Sequence, residues 1–526
     1  MLEFCMGQLF SQISPDGEIL YGIFWHSFFD RLFSWNFPLF WGIAVFIGLL
    51  AYRFDWRGPV FPKWSKLLRP IAIVLPIVLY LWFTGTETGG VPHLEDEFTN
   101  LYQARTISTG TYPGIIVPNQ LKNTFQTGFL RVASSGRLLG IYPPGFPLVL
   151  SALDLVSLLP WAQFILLLAN LLVLYQLVSV VFSSRRVLPW LLISMSPMFV
   201  HHSLFLFSQS LSLMLVNLVW LRRMQEKPFG TDYLLCSFLF LGRPLDGLLL
   251  VSTLFCWQIH QQRHFPRESF GFLTFIPLFL LHQKIQTGNW FSSTYHLVQP
   301  FFTLGYGPDI GIAIPFGFNI YQAFDNLYLV LLSLNETLFG WPAASLVPVI
   351  LFYWCALRKG WFQRPGMGFA ALLTFFWFFG YFNLFHPGLL IGPRYHQPLI
   401  AVFLIQACVF LFSRRNWRPV VLILCLVGGW NLFGYPLRDF AGVRSFPERE
   451  FSLRMDQVYV VPDVPIGGKD LFRSFFSLND VFHIEKLRFI HELDFREYPD
   501  FFRTQYGERL ASFPWETTPS KKVNSP

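Results

Sequence analysis

The stretch that decides the fold is WAQFILLLANLLVLYQLVSVVF, Trp161 to Phe182, which carries no acidic or basic side chain. As a helix it would cross roughly 30 Å of hydrocarbon. Uncharged runs such as Phe37 to Ala51 and Gly366 to Phe385 repeat the pattern along the chain. Of 526 residues 53% are hydrophobic, only 13% are charged, and phenylalanine alone occupies 62 positions. A water-soluble fold could not cover so much apolar surface.

Taking the long runs as spans predicts an all-α polytopic membrane protein with about twelve transmembrane helices. They fall at 36–52, 69–84, 161–182, 187–201, 203–221, 231–242, 245–260, 268–284, 340–357, 366–385, 391–412 and 418–434, with a kink expected at Gly242-Arg243-Pro244. Clusters such as Arg185-Arg186, Arg222-Arg223 and Arg414-Arg415 occupy alternate loops, and the positive-inside rule puts those loops in the cytoplasm. On that reading 145–159 is a helix lying at the outer interface rather than a span.

The expected organisation is then 1–84, an N-terminal segment with two spans; 85–160, an outer loop; 161–434, a transmembrane core including an outer loop at 285–339; and 435–526, a small α/β extramembrane domain with a disordered end. The polar sequence gathers on one side. Five of the six cysteines lie in apolar runs without CxxC spacing, so neither a disulfide framework nor a metal knuckle is indicated. The formal net charge of +8 sits in short topogenic clusters, which excludes nucleic acid as a partner.

The outer loop 85–160 is the most informative region. It opens on His93-Leu94-Glu95-Asp96-Glu97, with consecutive carboxylates just beyond a membrane helix. Clustered like charges are costly unless they meet cations, a metal or water. One carboxylate there can serve as a general base and a second can hold a divalent cation against a phosphate, so Asp96 and Glu97 are the candidate catalytic pair and the candidate metal contacts. The plain reading is a solvated acidic loop.

Arg105 and Arg137 follow in the same loop, which ends in Ile141-Tyr142-Pro143-Pro144-Gly145-Phe146-Pro147. Basic residues are scarce on this face, and an anionic phosphate would explain them. Arg243 and Arg394-Tyr395 lie in or against apolar helices. Intramembrane ionisable groups default to function with a named partner; the bland alternatives are an Arg243–Asp246 pair within one turn and Arg394 snorkelling to the interface.

Taken in order, Asp96-Glu97, Leu101-Tyr102-Gln103-Ala104, Tyr142-Pro143-Pro144-Gly145, Arg243-Pro244, Phe339-Gly340-Trp341-Pro342 and Arg394-Tyr395 resemble the GT-C-type glycosyltransferases, and more narrowly the bacterial relatives of the protein O-mannosyltransferases and the lipid A aminoarabinose transferase. The resemblance implies a GT-C-like fold in a bacterial inner membrane, with the active site facing the periplasm. It also implies a polyprenyl-phosphate-linked sugar donor and a lipid, glycan or protein acceptor. Carried over, Asp96 is the base or metal-contacting carboxylate with Glu97 beside it, and Arg243, Arg394, Tyr395, Arg105, Arg137 and Tyr142 are candidates for the donor and its phosphate. This chain has Ile141-Tyr142 where some relatives have Glu-Lys.

The function expected is transfer of a sugar from the lipid carrier to an acceptor on the outer face. The competing class is a transporter or flippase of a lipid-linked saccharide, which would show internal pseudo-symmetry and midplane charges; a third reading is a membrane assembly scaffold.

Overall fold

The computed structural model describes residues 64–84, 95–125, 129–183, 187–298, 303–311, 317–341, 344–386, 388–390 and 392–413, and then 458–461, 465–466, 469–470, 489–506 and 510–512. The spans expected at 36–52 and 418–434 lie outside the described residues.

The chain is mostly helical. Helix α1 (Trp64–Phe83) is followed by α2 (Glu95–Ser108) and α3 (Lys122–Phe125), a hairpin of β1 (Leu130–Val132) and β2 (Leu138–Gly140), and α4 (Gly145–Leu155). The helical body continues with α5 (Ala162–Phe182), α6 (Val187–Ser194), α7 (Pro197–His202), α8 (Ser208–Met224), α9 (Gly230–Gly242), α10 (Pro244–Gln262), α11 (Ile276–Thr287) and α12 (Thr294–Val298). Then come α13 (Ile320–Thr337), α14 (Val347–Lys359), α15 (Pro365–Phe382), a short hairpin of β3 (Leu389–Leu390) and β4 (Gly392–Pro393), a 3-10 turn Arg394–Leu399, and α16 (Ile400–Leu411). Two helical stretches, Leu159–Phe182 and Arg394–Leu411, are each long and apolar enough to cross a membrane.

Proline accounts for the places where expected spans are broken. The run 187–201 divides into α6 and α7 at Ser196-Pro197, because proline has no N–H to continue a helix and favours its first turn. The run 268–284 likewise begins as a 3-10 segment, Arg267–Phe275, and becomes α-helical only at Ile276-Pro277. At Gly242-Arg243-Pro244 the expected kink is a turn between two separate helices packed on each other. It is tight: a Cβ on Gly247 would lie 2.5 Å from the backbone of Phe240.

The stretch 285–339, expected to be a loop, contains α13. Its start is set by a capping box in which Asn319 and Gln322 each satisfy the other's backbone N–H. Asp325, Asn326, Asn335 and Glu336 interrupt its apolarity in sequence, yet one face buries Ala323, Asn326, Leu329, Val330, Ser333, Leu334 and Thr337. Toward the end of the chain, β5 (Val458–Val461) pairs in parallel with β8 (Phe489–His491) and with β9 (Leu510–Ser512). Two helices, α17 (Glu492–Glu497) and α18 (Pro499–Tyr506), connect β8 to β9, and α17 packs against α3 and the turn before it.

Helices surrounded by hydrocarbon gain nothing from hiding apolar surface from one another, so small residues and buried hydrogen bonds must join them. Asn170 on α5 donates to the Ser210 carbonyl on α8 at 3.0 Å, and Trp220 donates to the Gly366 carbonyl at 2.8 Å. The closest approach matters most here. Gly145, at the start of α4, lies so near the end of α9 that an added Cβ would sit 2.4 Å from the Gly242 nitrogen, whereas one on Gly242 would meet Phe146 no closer than 3.4 Å. This contact sets the Pro143-Pro144-Gly145 turn against Arg243. Gly145→Ala therefore lowers thermal stability in detergent by about 1–3 kcal/mol, the range for overpacking, while Gly242→Ala stays close to wild type; equal effects in a thermal-shift assay would contradict the asymmetry.

Candidate active site

The acidic triplet has a local reason to exist. Glu95, Asp96 and Glu97 are the first residues of α2, where unpaired N–H groups and the helix dipole favour negative charge. Successive helical residues point about 100° apart, so the carboxylates diverge. Glu97 turns into the bundle and accepts from the Leu206 N–H at 2.7 Å, only 3% exposed. It does not join Asp96 as the expected second catalytic or metal-contacting carboxylate.

Asp96 faces a different set of partners. Its Oδ1 accepts from the Tyr142 hydroxyl, and its Oδ2 lies 3.4 Å from Arg394 Nη1. These residues, 298 positions apart in the chain, are brought together by the outer loop and the turn before α16. Burial first and the Asp96 charge second push the Tyr142 phenol well above the usual tyrosine range. It therefore keeps its proton and is the donor.

The Arg394 guanidinium lies 5.3 Å from the Tyr395 ring centroid, and its Nε is buried without a hydrogen-bond partner. Tyr395 is held on several sides. Its ring stacks on Tyr381 at 5.3 Å, its carbonyl accepts from Trp377 Nε1 at 2.9 Å, and Gly388 lies against it so closely that a Cβ there would reach 2.3 Å from the ring. Gly388 has φ +65°, which suits glycine on both counts.

Arg243 approaches the same ring at 5.9 Å, yet its charge is already answered. Nε donates to Asp246 at 2.5 Å, Nη1 to Ser208 Oγ at 3.3 Å and Nη2 to the Tyr381 hydroxyl at 3.1 Å, and Tyr381 in turn donates to Asp246. This is the pair within one turn that the sequence offered as the bland alternative, extended into a network. Arg243 is thus engaged, whereas Arg394 is only loosely partnered.

Arg105 and Arg137 are not drawn into this group. Arg105 is exposed on α2, about two and a half turns beyond Asp96 and on the opposite face. Arg137 donates to the Gly114 carbonyl at 2.9 Å within the outer loop. Three neutral residues belong to the site instead, none of them given away by spacing. Tyr295, on α12, packs edge-on to Tyr142 at 6.4 Å and feels the charges of Asp96, Arg394 and Arg243. Tyr381 lies inside an apolar run and reads as core. Gln103, within the quoted Leu101–Ala104 motif, donates to the Tyr142 carbonyl at 2.9 Å and accepts from the Tyr142 N–H at 3.3 Å.

The arrangement offers a carboxylate acceptor of protons beside a cation with spare donors, which suits proton removal next to a departing anion. Among the described residues no three His, Cys, Asp or Glu side chains gather in one place. With Glu97 turned away and Asp96 engaged at both oxygens, these side chains do not form a set that would hold the expected divalent cation.

The fold and this site describe a helical membrane protein of the GT-C-like class. In particular, the chain shares its fold with ArnT from Cupriavidus metallidurans, in a crystal structure bound to undecaprenyl phosphate: 14% sequence identity, a TM-score of 0.52, and coverage of 86% of this chain and 89% of that one. No protein-family model matches the sequence, and no curated protein matches it.

Two outcomes follow from the charges. Asp246→Asn leaves the Arg243 cation without its counter-charge, and losses of about 3–5 kcal/mol accompany a broken buried pair; a thermal midpoint equal to wild type would show that the pair contributes nothing. His386 accepts at Nδ1 from the Gly388 N–H at 2.8 Å, and burial, with Arg394 nearby, lowers its pKa from 6.5 to about 4. The folded state therefore binds fewer protons than the unfolded one in that interval. This contribution to stability is present above pH 6.5 and declines as pH falls toward about 4. His386→Gln should flatten the acid limb of the stability profile relative to wild type.

Proposed function

We propose that the chain is an integral membrane glycosyltransferase that moves a sugar from a polyprenyl-phosphate carrier to an acceptor on the outer face of a bacterial inner membrane. The observation that carries this reading is the meeting of Asp96 with Arg394 at 3.4 Å, which sets a proton acceptor beside a cation in a largely apolar bundle. The shared fold supports it, since the ArnT structure holds undecaprenyl phosphate.

In the proposed step Asp96 takes the proton from an acceptor hydroxyl or amine as that group attacks the anomeric carbon. The bond from that carbon to the phosphate oxygen breaks and the configuration inverts. The polyprenyl phosphate leaves as an anion, stabilised by Arg394, with the Arg243 network holding the Tyr395 side of the site in place. Arg394 is the principal phosphate ligand in this scheme, because Arg243 is already paired with Asp246.

Two measurements test it. Titration of undecaprenyl phosphate into purified protein should show binding that Arg394→Gln weakens by about tenfold or more, as expected for loss of a charge-assisted bond. Asp96→Asn should keep that binding and abolish transfer, read by mass spectrometry of envelope glycans from cells lacking the gene and supplied with either form. Glycans restored by the Asp96→Asn form would remove Asp96 as the base, and binding indifferent to Arg394→Gln would remove the phosphate site.

A further inference from the structure

The contact between Asp96 and Arg394 is unusually loose for two groups so well placed to pair. A carboxylate and a guanidinium commonly form two parallel hydrogen bonds of about 2.7–2.9 Å. Here one oxygen only, Oδ2, faces the guanidinium, at 3.4 Å, with side chains 16% and 17% exposed. The other oxygen is turned away and held by the Tyr142 hydroxyl.

Tyr142 is fixed in that position from several directions. The Gln103 side chain clips both its N–H and its carbonyl. Gln103 is 1% exposed and stands on α2 about two turns beyond Asp96, on the same face. Its amide is packed under Gly140, where an added Cβ would lie 2.6 Å from it. Pro143 and Pro144 follow with fixed φ, and Gly145 is wedged against Gly242. The rings of Phe129 and Tyr295 close on the phenol at 5.9 and 6.4 Å.

From this geometry we infer that Tyr142 is a positioning residue: by holding Oδ1 of Asp96 it prevents the carboxylate from closing a two-oxygen pair with Arg394, and so leaves that guanidinium available to the phosphate of a lipid carrier. Gln103 acts through Tyr142 to the same end. The inference rests on the reading of Arg394 as the carrier-phosphate ligand. It gives Tyr142 a role other than direct contact with the donor, and it makes Asp96 a competitor of the phosphate for one cation.

The test is a double-variant cycle with undecaprenyl phosphate as the probe and undecaprenol, which lacks the phosphate, as the control for the lipid tail. Tyr142→Phe should weaken undecaprenyl phosphate binding on the order of tenfold, since the freed carboxylate then closes on Arg394, and leave undecaprenol binding unchanged. Asp96→Asn should bind the phosphate probe at least as tightly as wild type. The combined variant should bind as Asp96→Asn does, because with no carboxylate to restrain, the phenol no longer matters. Gln103→Leu should weaken binding in the same direction and be rescued in the same way, which covers the case where Tyr142→Phe does not fold.

Weakening of equal size with and without Asp96→Asn would mean that Tyr142 is a direct phosphate ligand or a general prop, and would overturn the inference, as would an unchanged affinity in Tyr142→Phe. Failure of the underlying reading looks different: wild type would not bind undecaprenyl phosphate, or would bind it identically after Arg394→Gln.

Discussion

A guanidinium set among aromatic and aliphatic side chains needs negative charge close at hand, and Arg243 and Arg394 impose that need twice on either side of one tyrosine ring. Both approach Tyr395 within 6 Å. Each is answered by a carboxylate from a different part of the chain, Asp246 at the start of α10 and Asp96 at the start of α2. Unpaired charges in such surroundings would cost several kcal/mol. Satisfying both constrains how α2, α8, α10, α15 and the turn before α16 come together.

The two pairs are not equivalent, and the difference is the chemically useful part. Arg243 has every nitrogen engaged by Asp246, Ser208 and Tyr381, so it stiffens the Tyr381–Tyr395 stack. Arg394 makes a long contact and keeps a buried Nε without a partner. A site built this way has one committed cation and one held in reserve. All of the charged members lie at helix ends or in the turns between helices, where the backbone is not bound to regular helical geometry and neighbouring elements can approach closely, as Gly145 approaches Gly242.

Much of this was legible because charge is scarce in so apolar a chain: Asp96, Arg243 and Arg394 stand out from their surroundings without any structure. Sequence reasoning went astray where local geometry intervened. Glu97 reads as the partner of Asp96 but is rotated away by one helical step, and Arg105 falls on the far face of the same helix. Tyr295 and Gln103 are neutral, carry no spacing signal, and matter only through contacts made across the fold. The helix α13 was hidden for a related reason, since its buried face includes Asn326, Ser333 and Thr337, polar residues that a hydropathy reading takes for a loop.

Composition and charge pattern alone determined that this is an apolar, helical chain with its polar chemistry in a few motifs, because hydrocarbon tolerates little else. Which of those motifs answer one another was decided only in three dimensions. Asp96 and Arg394 are separated by 298 positions, and no local preference selects one distant cation over another. Close packing at Gly145 and the clip from Gln103 to Tyr142 select it, because a hydrogen bond or a charge pair forms only where the backbone has already brought its two groups within a few ångströms.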